Sequence, residues 1–209
     1  MKVTDKITIT NEDNMQLMAR YEDNYFDLAI VDPPYGIGAG KMKMNNSNHK
    51  FKEWDSNAPT KEYFNELFRV SRNQIIWGGN YFDLPVNKCF LIWDKKQPEG
   101  VSFAMAEYAW ASFSSVSKVF YQFPSHVTQG VKIHPTQKPI KLYEWILMHF
   151  AKEGDRILDT HLGSGSIAIA CHNRKFKLWA CELDKEYYEA SIKRFKEQTA
   201  QTTIFDLGA

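Results

Sequence analysis

The chain has 209 residues, of which 44% are hydrophobic, and this is enough for one globular domain with a full core. Its 26 lysines and arginines nearly balance 25 aspartates and glutamates, so the net charge of +1 excludes a uniformly basic or acidic protein. Any surface for a polyanion must therefore come from local clustering of charge. The start, MKVTDKITITNEDN, lacks the apolar core of a signal peptide, and no apolar run approaches the ~18 residues of a membrane span.

Three dispersed cysteines, Cys89, Cys171 and Cys181, leave one thiol over under any pairing, and none belongs to a CxxC pair. This number and spacing disfavour a disulfide framework and a zinc site. We therefore expect a protein of the reducing cytosol that carries no metal.

Strand and helix patterns alternate along the chain, which is typical of a largely parallel α/β sheet. In chain order the patterns predict strand 6–10, helix 14–23, strand 26–31, helix 59–72, strands 73–79, 89–95 and 106–113, helix 138–151, a turn and strand within 152–161, helix 165–174, strand 177–183 and helix 184–198. Residues 36–58 and 121–133 lack clear periodicity and are expected to be mobile functional loops.

The segment LAIVDPPYGIGAG, residues 28–40, ends a predicted strand in an unusual way. Two consecutive prolines remove two backbone donors and fix two φ angles, so neither the strand nor an ordinary helical turn can continue. The segment presents the Asp32 carboxylate, the Pro33 carbonyl held rigid by Pro34, and the ring of Tyr35. These groups suit a planar base with an exocyclic amine, the ring stacking on a base taken out of its helix. The alternative is that Tyr35 is an ordinary packed aromatic residue.

A second motif, RILDTHLGSGSIAIA, runs from an apolar strand through Asp159 to Gly163 and Gly165 and then into a helix. As G-x-G-x-x-A, with Glu182 ending the following strand, it matches a nucleotide-binding βαβ unit. Its glycines permit close approach of a ligand, and the helix N-terminus favours an anionic group. A tight turn between strand and helix would explain the same glycines without a ligand.

The two motifs together favour methyl transfer. Asp159 is placed to hold a cationic amine, which S-adenosylmethionine offers, and Glu182 suits ribose hydroxyls. An exocyclic amine is a poor nucleophile because its lone pair is delocalised into the ring. Two acceptors on its hydrogens, the Asp32 carboxylate and the Pro33 carbonyl, would free that lone pair. A preorganised contact of this kind is worth roughly 3 kcal/mol as charge develops on nitrogen.

The sequences DPPY (32–35), HPTQKP (134–139) and DTHLGSGS (159–166), in that order, resemble the β-class DNA aminomethyltransferases. The resemblance covers nearly the whole chain. It implies one Rossmann-like methyltransferase domain whose mostly parallel sheet has seven strands and whose motif order is circularly permuted. The implied divisions are a catalytic half at 1–130, a cofactor-binding half at 131–199 and a short C-terminal tail at 200–209.

The resemblance also implies the roles of individual residues. The implied catalytic residues are Asp32, Pro33, Pro34 and Tyr35. The implied cofactor-binding residues are Asp13, Asp32, His134, Lys138, Asp159, His161, Gly163, Gly165, Ser166 and Glu182. Asp13 is expected near the adenine end of the cofactor, and His134 and Lys138 near its methionine end. His161 replaces an aromatic residue that is frequent in the family, and we expect it to be a packed, hydrogen-bonded histidine.

The aspartate that opens the tetrapeptide favours adenine N6 as the methylated atom, with cytosine N4 as the alternative. Cytosine C5 chemistry needs a nucleophilic thiolate, and none of the three cysteines follows a proline as it does in such enzymes. Two functions of other classes stay open on the sequence alone. An NAD-dependent oxidoreductase would explain the glycine motif but not DPPY or HPTQKP, and a non-catalytic nucleic-acid-binding protein would not need Asp32 and Tyr35.

The expected macromolecular partner is double-stranded DNA. Lys41, Lys43, Lys50 and Lys52 lie in the polar loop just after the tetrapeptide and are predicted to contact phosphates, although such runs are often only solvated. The segment between GGNYF and HPTQKP is short for a recognition domain, so the DNA site is expected to be short or to rely on the 36–58 loop and a second subunit. The family resemblance implies a homodimer. Residues Gln201–Phe205 resemble peptides that dock on sliding clamps, unless Ile204 and Phe205 pack back onto the domain.

Overall fold

One mixed sheet organises the fold. The computed structural model describes residues 2–38, 55–100, 104–123 and 133–206, with side chains described as far as residue 200. The strands are β1 (Ile7–Asn11), β2 (Phe26–Val31), β3 (Ser71–Trp77), β4 (Phe90–Asp94), β5 (Ala106–Ala111), β6 (Lys118–Tyr121), β7 (Arg156–Asp159) and β8 (Lys177–Glu182). The helices are α1 (Asn14–Met18), α2 (Lys61–Val70), α3 (Ile140–Phe150), α4 (Ser166–Asn173) and α5 (Lys185–Asp206), with a 3₁₀ turn at Gly79–Tyr81.

The strand order in this sheet is β1-β8-β7-β2-β3-β5-β4-β6. Strand β5 is antiparallel to β3 and β4, and all the other pairings are parallel. The chain leaves β2 toward β3 on one side, whereas β7 on the other side leads to β8. The crevice outside the carboxyl ends of β7 and β2 is therefore a topological switch point, which is where α/β sheets bind ligands.

Helices cover both faces of the sheet, so each central strand is buried on both sides. On one face α1 and α2 bury Leu17, Met18, Tyr63, Phe64 and Leu67 against β2 and β3. On the other face α3, α4 and α5 contribute the apolar residues Leu142, Ile146, Ile167, Ile192 and Phe195 to a second cluster. Within the described residues, no helix combines the length and apolarity that crossing a bilayer requires.

The predicted α/β class and mostly parallel sheet are confirmed, but the described sheet has eight strands rather than seven. The additional strand β6 is only four residues long and pairs with β4 at the edge, so its period-2 pattern is too short to recognise. Helix 14–23 ends early at Met18, because Arg69 from α2 donates to the Tyr21 carbonyl and holds the following residues in turns. At the C-terminus the backbone of α5 continues to Asp206, so most of the predicted tail is helical.

Candidate active site

A cavity of about 1660 Å³ opens at the carboxyl edge of the sheet, and residues from all three sequence motifs line it. Of the residues predicted for the site, those that line the cavity are Asp13, Asp32, Pro33, Pro34, Tyr35, His134, Lys138, His161, Gly163, Ser166 and Glu182. DPPY, DTHLGSGS and Glu182 meet because β2, β7 and β8 are neighbours and parallel, so the residues that end them share one edge. HPTQKP joins them from the start of α3, where Lys138 contacts Asp32. Asp159 and Gly165 belong to the same edge but are not among the described lining residues.

Asp32 follows β2 and has both carboxylate oxygens engaged. Lys138, just before α3, donates from Nζ to Asp32 Oδ2 at 2.5 Å, and the Tyr35 hydroxyl donates to Oδ1 at 2.7 Å. The Lys138 side chain is only 2% exposed, whereas that of Asp32 is 20% exposed. Burial raises the pKa of Asp32 above its ordinary value, even though Lys138 favours the ionised form. Lys138 is therefore the buried ion-pair partner of the Asp32 carboxylate.

Two further charged residues, missed by the sequence analysis, extend this contact. Lys138 Nζ lies 3.1 Å from Glu107 Oε2, and Lys95 Nζ lies 2.5 Å from Glu107 Oε1. Burial opposes ionisation of Glu107, but Lys138 and Lys95 outweigh it and hold the pKa of Glu107 below its ordinary value. We call Asp32, Lys138, Glu107 and Lys95 the charge chain. An acid inside the apolar strand pattern AEYAWASF was the one signal that pointed to it.

The ring of Tyr35 is held from several sides. A Cβ at Gly78 would lie 2.2 to 2.7 Å from three neighbouring ring carbons at once, which places Gly78 over the ring face rather than beyond its edge. Tyr81, half exposed and lining the cavity, stacks on Tyr35 with centroids 5.1 Å apart and planes 17° from parallel. The backbone N–H groups of Tyr35 and Gly36 both donate to Oδ1 of the buried Asp55. Tyr35 is thus a packed aromatic residue and also part of the cavity wall.

Replacement of Gly78 by alanine is expected to reduce turnover by about 10²-fold, because a displacement of catalytic groups by 1 Å can cost that much. The added Cβ would overlap the Tyr35 ring, and the φ of +70° at this position is itself strained for alanine. Steady-state kinetics would measure the loss. Gly100→Ala is the control, since Gly100 has a φ of +85° but no atom of the described residues lies within 4 Å of its Cβ position; equal losses in the two variants would contradict this account.

The glycine loop between β7 and α4 is tied to the end of β8. Gly163 and Gly165 have φ values of +52° and +73°, which other residues adopt only with strain. The Gly163 N–H donates to Glu182 Oε2 at 2.8 Å, and the Asp184 N–H donates to Oε1 at 2.9 Å. Burial raises the pKa of Glu182, while these backbone donors oppose the shift. Glu182 therefore shapes the loop and also faces the cavity.

Asp159 lies beneath this loop. It is 3% exposed, and its Oδ1 accepts the His161 N–H at 2.9 Å. Burial raises the pKa of Asp159 to about 8; the His161 hydrogen bond lowers it, and the charges of Asp32 and Glu182 raise it further. A carboxyl group with this pKa is mostly neutral at pH 7 and ionises when a cation approaches.

Arg194 of α5, which the sequence analysis did not single out, anchors the loop from behind. Its Nη1 donates to the Ser164 carbonyl at 2.7 Å and to Ser166 Oγ at 2.9 Å, and the Ser166 hydroxyl donates to the Lys138 carbonyl at 2.7 Å. Burial lowers the pKa of Arg194 to about 10. The Ser166 hydroxyl therefore donates its proton to the backbone carbonyl of Lys138, a residue of the charge chain.

The two predicted histidines differ in their surroundings. Burial lowers the pKa of His161 to about 3, so its ring is neutral. Its Nε2 lies 3.1 Å from Asn14 Nδ2 and its Nδ1 lies 2.9 Å from Thr160 Oγ1, so the amide donates to Nε2 and Nδ1 carries the proton. His134 packs edge-on against Tyr187, with ring centroids 4.5 Å apart, and its ring faces Gly163.

The remaining predicted residues are placed as follows. Asp13 lines the cavity and caps α1 by accepting the N–H groups of Met15 and Gln16 at 2.9 and 3.3 Å. The predicted DNA-binding residues Lys41, Lys43, Lys50 and Lys52 lie outside the described residues. All three cysteines are buried and unbridged.

The sequence matches a protein-family model over residues 88–193, just over half of the chain, and that family is the N6/N4 methyltransferases, described as DNA methylase. The chain therefore belongs to the DNA N6/N4 aminomethyltransferase family. Among curated proteins it is 24% identical to the type II methyltransferase M.HpaI of Haemophilus parainfluenzae, over 88% of this chain and 72% of that protein. It is also 24% identical to the type II methyltransferase M2.MboI of Moraxella bovis, over 88% of this chain and 86% of that one.

Solved structures support the fold. The chain in the M1.HpyAVI–SAM complex superposes with a TM-score of 0.64 at 21% identity, covering 90% of this chain and 99% of that one. The cytosine-N4-specific PvuII DNA methyltransferase superposes with a TM-score of 0.63 at 12% identity, covering 93% of this chain and 92% of that one.

Proposed function

We propose that this chain transfers a methyl group from S-adenosylmethionine to the N6 amine of an adenine in DNA, on a base flipped out of the duplex. The observation that carries the proposal is the Asp32 carboxylate, which follows β2 in the cavity wall beside Pro33 and Tyr35. The coarser activity, DNA methyl transfer to an exocyclic amine, follows from the family. The family also favours methyl transfer over the hydride transfer that the glycine motif alone allowed.

The residues present fit S-adenosylmethionine, a molecule with a sulfonium, an α-ammonium and two ribose hydroxyls. The cavity wall contains two carboxylates, those of Asp13 and Glu182, that can accept hydrogen bonds from cations and hydroxyls. The carboxyl group of Asp159 lies just beneath this wall. The loop at Gly163 permits close approach, since the nearest described atom to a Cβ built there is 3.8 Å away, on His134. We assign the adenine end to the side of Asp13 and the methionine end to the side of His134 and Lys138. When bound, S-adenosylmethionine supplies an electrophilic methyl group.

The chain's own part in the reaction is to hold the substrate amine. The Asp32 carboxylate and the Pro33 carbonyl accept its two hydrogens and draw its lone pair out of the ring. Positive charge then develops on the amine nitrogen, where ionised Asp32 stabilises it, a contact worth roughly 3 kcal/mol. Pro34 fixes the backbone that aims the carbonyl. The rings of Tyr35 and Tyr81 offer the base a stacking surface beside this site.

Product analysis tests the proposal. The purified chain is incubated with S-adenosylmethionine and unmethylated duplex DNA, the DNA is digested to nucleosides, and the products are identified by mass spectrometry. N6-methyladenine is the expected product, and Asp32→Ala protein purified in the same way controls for contaminating host enzymes. N4-methylcytosine would retain the amine chemistry and overturn the assignment of adenine. No methylated base in either DNA strand would overturn the proposed function.

Three expectations about DNA and partners stay predictions. Phosphate contacts by the loop lysines are supported only by their place after the tetrapeptide, and a homodimer only by the family resemblance. The clamp-docking segment Gln201–Phe205 lies where the backbone is helical, and its side chains are outside the described residues. A truncation after residue 200 would separate the two interpretations of this segment. Loss of clamp binding at unchanged melting temperature would support docking, and a lower melting temperature would support packing on the domain.

A further inference from the structure

We propose that Glu107 is a positioning residue for methyl transfer: it shares the Lys138 ammonium with Asp32, so that the ammonium does not fully neutralise the carboxylate that stabilises the substrate amine. Lys95 completes the arrangement by neutralising Glu107. This inference rests on the proposed function, and it concerns residues outside the three sequence motifs.

The backbone holds Glu107 and Lys95 at fixed places. Glu107 lies in β5 opposite Trp93 of β4, and the Lys95 N–H donates to the Met105 carbonyl as the antiparallel ladder continues. Lys95 Nζ also lies 5.0 Å from the centre of the Trp93 ring. The Glu107 carboxylate therefore reaches Lys138 from a strand, and Lys95 reaches Glu107 from the residue that directly follows β4. A site built on strands holds its geometry more closely than one built on loops.

The charges alternate through the charge chain and sum to zero. The side chains are 14% exposed at Lys95, 21% at Glu107, 2% at Lys138 and 20% at Asp32. Charges this far from water are screened weakly, so an imbalance of one charge is felt at the next group. Without Glu107 two ammonium groups would face one carboxylate. The excess positive charge would oppose the positive charge that develops on the amine.

The Lys138 ammonium also needs its second carboxylate for a geometric reason. It lies 2.5 Å from Asp32 Oδ2 and 3.1 Å from Glu107 Oε2, and the ring of Trp77 lies 5.1 Å below it. With Glu107 neutral, Lys138 would pair with Asp32 alone. The ammonium would then compete more strongly with the substrate amine for the Asp32 carboxylate.

The test compares Glu107→Gln, Lys95→Met and the double variant. Glu107→Gln leaves the charge chain with a net charge of one positive unit, and Lys95→Met leaves it with one negative unit. The double variant restores a net charge of zero. We expect kcat to fall about 10- to 100-fold in Glu107→Gln and to recover several-fold in the double variant. KM for S-adenosylmethionine should stay within about twofold, and Glu107→Asp should retain more activity than Glu107→Gln.

The pH profile gives a readout that a purely structural role would not move. Asp32 faces Lys138, Tyr35 and Glu107, and the field of Tyr143 on α3 and Asp159 on β7 also reaches it. Of these, only Glu107 changes in Glu107→Gln. Loss of its negative charge favours ionised Asp32, so the acid limb of the kcat profile should move to lower pH.

Lys96→Met and Glu99→Gln are the matched controls. Lys96 directly follows Lys95, but its ammonium contacts Asp94 and the Tyr121 ring and does not contact Glu107. Glu99 is exposed at the following turn. Both controls should keep wild-type kcat. If Glu107→Gln misfolds, as circular dichroism would show, the Lys95→Met variant and the charge-neutral double variant still test the inference.

Each outcome decides between the two claims. Wild-type kcat in Glu107→Gln would overturn the inference and leave the proposed function standing. The same holds if kcat of the double variant falls by the product of the two single losses while its pH profile is unchanged. A wild-type chain that yields no methylated base overturns the proposed function and, with it, this inference. Recovery in the double variant supports the charge balance.

Discussion

Replacement of Asp32 by alanine is expected to reduce kcat for methyl transfer by about 10²- to 10³-fold, while S-adenosylhomocysteine still binds. Asp32 is the group proposed to stabilise charge on the amine nitrogen, and it lines the cavity directly after β2. The fold should survive, since Lys138 keeps Glu107 as a counter-ion at 3.1 Å. Turnover would be measured by transfer of labelled methyl groups to DNA, and cofactor binding by calorimetry.

Two further variants sharpen this test. Asp32→Asn keeps the shape and one acceptor but removes the charge, so it should retain slightly more activity than the alanine variant. Asp5→Ala, whose side chain is 98% exposed ahead of β1, should behave as wild type. Near-normal turnover in Asp32→Ala would disprove the proposed mechanism.

Binding of S-adenosylhomocysteine is expected to strengthen as pH rises from about 6 toward the Asp159 pKa of about 8. Below that pKa the free protein holds a proton on Asp159, because burial disfavours the carboxylate. An α-ammonium group at this position favours the carboxylate, so binding releases the proton and is opposed by acid. Calorimetry in two buffers of different ionisation enthalpy would count the released protons.

In Asp159→Asn this pH dependence should vanish, and affinity should fall about 10- to 100-fold, as is usual for a lost hydrogen bond to a charged group. Glu189→Gln on α5 is the control, since its side chain is 64% exposed and pairs with Lys185. It should leave both the affinity and the proton release unchanged. Unaltered proton release in Asp159→Asn would show that another group titrates on binding.

Local patterns predicted much of the architecture. The alternation of period-2 and period-3.6 segments was sufficient for the α/β class, because each central strand and its helix carry their own apolar pattern. The limits of that reasoning appear at β6, whose four residues pair only with β4, and at α1, which Arg69 shortens from a distance. Which strands pair and which distant residues form hydrogen bonds cannot be predicted from the periodicity of the sequence.

The candidate site divides in the same way. Asp32, Tyr35, Asp159, Gly163 and Glu182 were predictable because strand-ending acids and glycine turns have local chemical signatures. Their meeting also followed from the sequence, since parallel neighbours bring their carboxyl ends to one edge. Lys138 was predicted at the cofactor, but its contact with Asp32 joins residues 106 positions apart.

The groups that support these residues became apparent only in the folded structure. Asp55 accepts the Tyr35 backbone, Gly78 lies over its ring, Arg194 anchors the glycine loop, and Glu107 with Lys95 balances Lys138. Each has an ordinary local sequence, and each acts through a partner that only the strand order brings near. The fold class and the chemical groups that end the strands were predictable from the sequence, because both depend on local pattern. The packing and charge balance around those groups depend on long-range contacts, which only the folded chain defines.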